Sequence, residues 1–284
     1  MKDIFRSYKI GWLCFLYNWR FILFIFIVNL VLAYIAVGPL SMAMEDAFGN
    51  NGQLEQLIGS FDYVIVSDFL RLYRLNVTTV MKHIIPLSVV YLIFYCFIYG
   101  GLTDVAVNGL KRLNFSRIFG SCARYFWKMI WLAILVFVIF GIVFFLLFRF
   151  FAIEGFNPFE LETETGILNR FWISLVFLSI ASFLLTTFRD FSKISIVQED
   201  KHQFVPAIKT GFHSALKPMN LMLSFLNVLV LVIALILYHV FKIRIGEFNI
   251  AVIIIGQLLV FFRIAYKLIR LASFNAIQSA NTDV

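Results

Sequence analysis

Six apolar runs, each close to the length that a bilayer imposes, constrain this chain more than any other feature. They extend from Phe21 to Met42, Ile84 to Leu102, Ile130 to Phe148, Phe171 to Phe188, Leu221 to Phe241 and Phe248 to Phe262. A helix rises ~1.5 Å per residue, so ~20 mainly apolar residues cross ~30 Å of hydrocarbon. Backbone polar groups left unpaired there are costly, which restricts spanning segments to helices and closed barrels. The expectation is an all-α membrane protein with six transmembrane helices in a single integral domain over residues 1–284. Spans and short connectors nearly exhaust that length, leaving no room for a separate soluble catalytic domain.

Composition excludes the neighbouring classes. Apolar residues make up 62% of the chain and charged residues 14%, against ~25% charged in soluble domains. The net charge of +8 raises the question of nucleic acid. No basic stretch is interleaved with aromatics as a base-stacking surface would require, so membrane phospholipid is the expected partner and nucleic acid is not.

The distribution of charge orients the chain. Lys2, Arg6, Lys9 and Arg20 precede the first span, five cations from Lys111 to Lys128 follow the second, and five from Arg189 to Lys217 follow the fourth. Arg263, Lys267 and Arg270 follow the sixth. With six crossings these fall on one side, 17 against 7 on the other, and the positive-inside rule then places both termini in the cytoplasm. The first span is too long for a cleavable signal peptide and reads as an uncleaved anchor. Cys14, Cys96 and Cys122 lie outside the outer loops and imply no disulfide framework.

A basic amphipathic segment precedes each odd-numbered span. Lys2, Arg6 and Lys9 recur at helical spacing in the first, with Ile4, Phe5, Tyr8 and Trp12 on other faces. Arg117, Ser121, Arg124 and Lys128 form a polar stripe in the second, opposite Ile118, Phe119, Cys122 and Phe126. Lys209, His213 and Lys217 do so in the third, against Val205, Ile208, Phe212 and Leu216. Steps of three and four share a helix face, so each segment can lie in the interface with its cations toward lipid phosphates. The pattern suggests three parallel repeats of an interfacial amphipathic helix plus a helical hairpin, with Arg117, Arg124, Lys128, Lys209 and Lys217 as candidate headgroup contacts.

Two stretches carry a family resemblance: Ala123-Arg124-Tyr125-Phe126-Trp127-Lys128, and Arg189-Asp190-Phe191-Ser192-Lys193-Ile194-Ser195-Ile196-Val197 followed by Ala207-Ile208-Lys209-Thr210-Gly211-Phe212. From about residue 110 onward the chain resembles a group of bacterial six-helix integral membrane proteins, including the membrane domain fused to some glycerophosphodiester phosphodiesterases. The resemblance implies the fold and no particular activity. The phosphodiesterase barrel and its metal ligands are not in this sequence, so its catalysis is not implied.

No stretch carries a catalytic, metal or cofactor signature. His83, His202, His213 and His239 lack metal-ligand spacing, and there is no glycine-rich phosphate loop or nucleophile elbow. The polar cluster from Gln198 to Gln203 reads as a solvated turn, with cation binding as its alternative. Asn29, Asn227 and Gln257 lie at comparable depth in spans one, five and six, where they either bridge helices or form a ligand-binding cluster. Asp104 and Asp190 stand near cations at the cytoplasmic rim and are expected to pair with residues such as Arg124, Arg189, Arg263 or Lys267. Acidic and apolar residues alternate from Glu45 to Met81, as in a segment that caps the bundle or receives a partner.

These features lead to a non-enzymatic subunit or scaffold, acting with a membrane protein partner, as a homo-oligomer or on lipid, without metal or cofactor. The alternative is a transporter of a lipid or small amphiphile with no embedded ionisable coupling site.

Overall fold

The structure is a computed structural model that describes residues 2–48, 74–149, 164–198, 204–245 and 250–280. Seven helices follow one another among the described residues: α1 Lys2–Phe48, α2 Arg74–Asn108, α3 Phe115–Phe148, α4 Glu164–Gln198, α5 Phe204–Ala215, α6 Pro218–Ile245 and α7 Ile250–Ala280. All but α5 are long and apolar enough to cross a membrane, six in total. The chain is an all-α, multi-pass membrane protein. Most of the outer segment 45–81, the acids from Glu154 to Glu162 and most of the Gln198–Gln203 cluster lie outside the described residues.

Helices overrun the apolar runs. The sixth run ends at Phe262 by hydropathy, yet α7 continues to Ala280. Beyond Arg263 it buries Ile264, Leu268, Ile269, Leu271, Phe274 and Ile277, so a stretch that reads as a cytoplasmic tail is part of the core. Residues 191–197 of α4 are likewise buried all round. The apolar windows show the opposite behaviour, only 6% of that in α3 being buried. Hydrocarbon satisfies a uniformly apolar surface, and protein packing is needed where polar residues enter the pattern.

The repeat is less regular than its sequence pattern. Only the third amphipathic segment, α5, is a separate helix; the first two are continuous with α1 and α3. The apolar residues of the first segment do not share one environment. Ile4, Ser7, Gly11, Cys14 and Asn18 are buried, while Phe5 and Trp12 are exposed. Small residues at steps of three and four let neighbouring backbones approach, which bulky ones would prevent.

The described chain forms two compact units. One comprises residues 1–18, 96–230 and 267–284, and the other 19–95 and 231–266. In the first, α4 packs against α3 and α5. One part of its core groups Cys96, Tyr125, Met129, Leu132, Ile196, Val197 and Ala207, and Phe191 stacks on Phe274 at 4.6 Å. In the second unit Phe26 meets Phe261 edge-on at 5.7 Å.

Asn18 explains the one break in α1. Its backbone leaves the helical region at φ −118°, ψ 19°. The side-chain amide donates to the Cys14 carbonyl at 3.1 Å and to the Gly109 carbonyl at 2.9 Å, and its oxygen accepts from the Leu113 N–H at 3.1 Å. One amide thus satisfies backbone groups freed at the kink and in the α2–α3 turn, where a buried orphan would cost ~1–3 kcal/mol.

Candidate functional site

The densest polar chemistry lies on α4, at the Arg189-Asp190-Phe191-Ser192-Lys193 stretch. Asp190 is 2% exposed and faces three cations. Arg270 of α7 donates to one carboxylate oxygen, while Lys193 Nζ and Arg189 Nε each stand 3.5 Å from the other. Lys193 Nζ also lies 3.5 Å from the centroid of the Tyr99 ring on α2, and Lys267 Nζ 5.9 Å from it. The ring face supplies negative potential to an ammonium held away from water. Through these contacts one carboxylate ties α2, α4 and α7 together.

Charge in the cluster is not balanced. Three cations meet one carboxylate in a buried setting, where each uncompensated ion costs several kcal/mol. The donors at Arg189 Nε, Lys193 Nζ and Arg270 Nε are buried and make no hydrogen bond among the described residues, and neither do the hydroxyls of Ser192 and Ser195.

A cavity of about 250 Å³ opens beside the cluster, with Asp190 and Arg270 at one end. Ser179, Ser182, Thr186 and Asp190 line it along α4, and Ser224 and Val228 contribute from α6. Steps of three, four and four set those α4 residues on one face over roughly 16 Å. Ser179 and Thr187 return hydrogen bonds to Leu175 and Phe183 carbonyls at 2.7 and 2.9 Å, as hydroxyls on helices commonly do. Ser224 Oγ is buried and makes no hydrogen bond among the described residues. The sequence signal for this row was the serine and threonine spacing leading into Asp190, within a run otherwise read only for hydropathy.

The expected rim ion pairs are rearranged. Asp190 does pair with cations, but the α7 partner is Arg270; Arg263 is exposed. Those two positions differ by seven residues, two turns on one face and roughly 10 Å along the axis. Both oxygens of Asp104 accept hydrogen bonds, from Asn108 and from Ser121 of α3, each at 2.8 Å. Arg124 instead lies 5.8 Å from the Tyr125 ring. Asp104, Arg117, Ser121 and Arg124 line a second cavity of about 550 Å³.

Among the candidate headgroup contacts Arg117, Arg124, Lys209 and Lys217 are exposed, and Lys128 is half-buried with its Nζ 5.9 Å from the Tyr125 ring. Val205 and Phe212 are exposed on α5 beside Lys209. The amide trio is divided in its bonding. Asn227 is buried, accepts from the Tyr8 hydroxyl at 3.0 Å and donates to the Leu223 carbonyl at 2.8 Å. Asn29 donates to its own helix at Ile25, and Gln257 is exposed. Among the described residues no group of three or more His, Cys, Asp or Glu side chains is placed to hold a metal. No protein-family model, curated protein or solved structure matches the chain.

Proposed function

We propose that the chain is a non-enzymatic subunit or scaffold of the bacterial cytoplasmic membrane, with both termini inside, that works with a membrane protein partner or a second copy and engages anionic phospholipid. The observation that carries this reading is the use made of polar groups. Asp190, Asp104 and Asn227 join separate helices, and Asn18 joins α1 to the α2–α3 turn. Side chains committed to holding helices together are unavailable for turnover, and Arg117 of α3 and Lys209 of α5 stand exposed.

Lipid engagement is tested by neutralising Arg117, Arg124 and Lys128 together. Each surface cation contributes ~1 kcal/mol toward an anionic leaflet, so retention of anionic phospholipid by the purified protein should fall roughly a hundredfold. Unchanged retention would remove lipid from the proposal. Topology has its own test. Single cysteines at Asn50, Glu162 and Gly246 in a Cys-free background should react with an impermeant reagent from outside, and those at Asn114, His202 and Asn281 should not. A reversed pattern would overturn the orientation.

The cavity along α4 favours a second reading, carriage of a small amphiphile. Proteoliposomes containing the protein alone would then move a short-chain fluorescent phospholipid across the bilayer, and such movement would replace the scaffold reading.

A further inference from the structure

We propose that the cavity along α4 is a binding site for a phosphate monoester, held by Arg270 and the hydroxyls of Ser224, Thr186 and Ser182. The inference goes beyond the scaffold reading and stands whether or not a partner protein exists.

Charge is the first argument. Arg189, Lys193 and Arg270 surround the single carboxylate of Asp190, and Arg270 is the one of the three that lines the cavity. A phosphate monoester carries about −1.5 to −2 near neutral pH and offers three acceptor oxygens, so it gives Arg270 and the row of hydroxyls more acceptors than a carboxylate would. The groups without a hydrogen bond are the second. Arg270 Nε can only donate, and Ser224 Oγ, on a residue 4% exposed, can donate as well. Both residues line the cavity, and both donors are buried without an acceptor among the described residues.

Size and lining restrict the ligand further. A volume of about 250 Å³ falls below the ~300–1,000 Å³ of pockets that enclose whole drug-sized ligands. It suits a phosphate headgroup or a small phosphate compound, and the acyl chains of a lipid would lie outside it. Away from Arg270 the walls include Phe183, Val228 and Phe274, so apolar matter attached to the phosphate would meet apolar side chains. Phosphate is the chemistry shared by a lipid headgroup and a water-soluble monoester.

The test is thermal stability and calorimetric titration of the full chain in detergent with three probes: inorganic phosphate, dihexanoyl phosphatidate and hexanoate. Saturable stabilisation by phosphatidate is expected, with hexanoate at least tenfold weaker. Inorganic phosphate competing for the same site would identify a soluble ligand as sufficient, and phosphatidate binding alone would identify an amphiphile. Ser224→Ala with Thr186→Val removes two hydroxyls without touching the Asp190 ion pairs and should weaken phosphatidate at least tenfold. Arg270→Lys, which keeps the charge and loses the planar fork, should do the same. No saturable effect from either phosphate probe, hexanoate equal to phosphatidate, or undiminished binding in the folded Ser224→Ala, Thr186→Val variant would each overturn the proposal.

Discussion

Replacing Asp190 with alanine should destabilise the protein by ~3–5 kcal/mol, because removing one partner of a buried ionic cluster leaves the others uncompensated. Three cations would then share a site that holds no other carboxylate within ion-pair distance among the described residues. Melting of the purified protein in detergent measures the loss, and a change within ~1 kcal/mol would mean that water reaches the cluster. The triple variant Asp190→Leu, Lys193→Met, Arg270→Met should recover much of the stability, since apolar groups of similar volume often replace buried ions at little cost. Salt separates this arrangement from a rim pair. At 2% exposure of Asp190 the loss should barely change with ionic strength, whereas a solvated pair weakens as screening grows.

The second large effect is expected at Gly211. A β-carbon there would stand 2.6 Å from the Ser192 Cα and 2.8 Å from its backbone nitrogen. The obstacle is main chain, which cannot rotate aside, so α5 would have to move off α4. Gly211→Val should cost ~3 kcal/mol or more, and Gly211→Ala ~1–3 kcal/mol. Gly120 and Gly141 provide the controls, since nothing lies within 4 Å of a β-carbon at either. Alanine there should leave stability unchanged or raise it by up to ~1 kcal/mol through helix propensity. Equal losses at Gly211 and Gly120 would show that the α4–α5 contact is not close packed.

Where the chain crosses the membrane was legible because a span is a property of composition over a window. Where the protein packs against itself was not. Ile264 to Ile277 and residues 191–197 contain serine, lysine, arginine or asparagine, which lower hydropathy and read as connectors. Folded, those polar groups face one another or small partners, and the apolar residues between them form the core. Asn18 illustrates the limit most directly. Its three hydrogen-bonding partners include Gly109 and Leu113, more than ninety residues away, and no local pattern reports such a pairing. The Asp190 cation cluster was half legible: its charges stood out, while the choice of Arg270 over Arg263 depends on how far α7 runs as one helix.

Gly11 has consequences for biosynthesis. A β-carbon there would lie 2.6 Å from both the Ile269 carbonyl and the Ser273 hydroxyl, so the start of the chain is closed over by its last helix. A ribosome adding about 5–20 residues per second needs roughly 15–50 s to travel from one to the other. Throughout that interval Gly11 waits in the nascent chain for a neighbour not yet made. The contact between α1 and α7 therefore closes only after every helix between them has been synthesised.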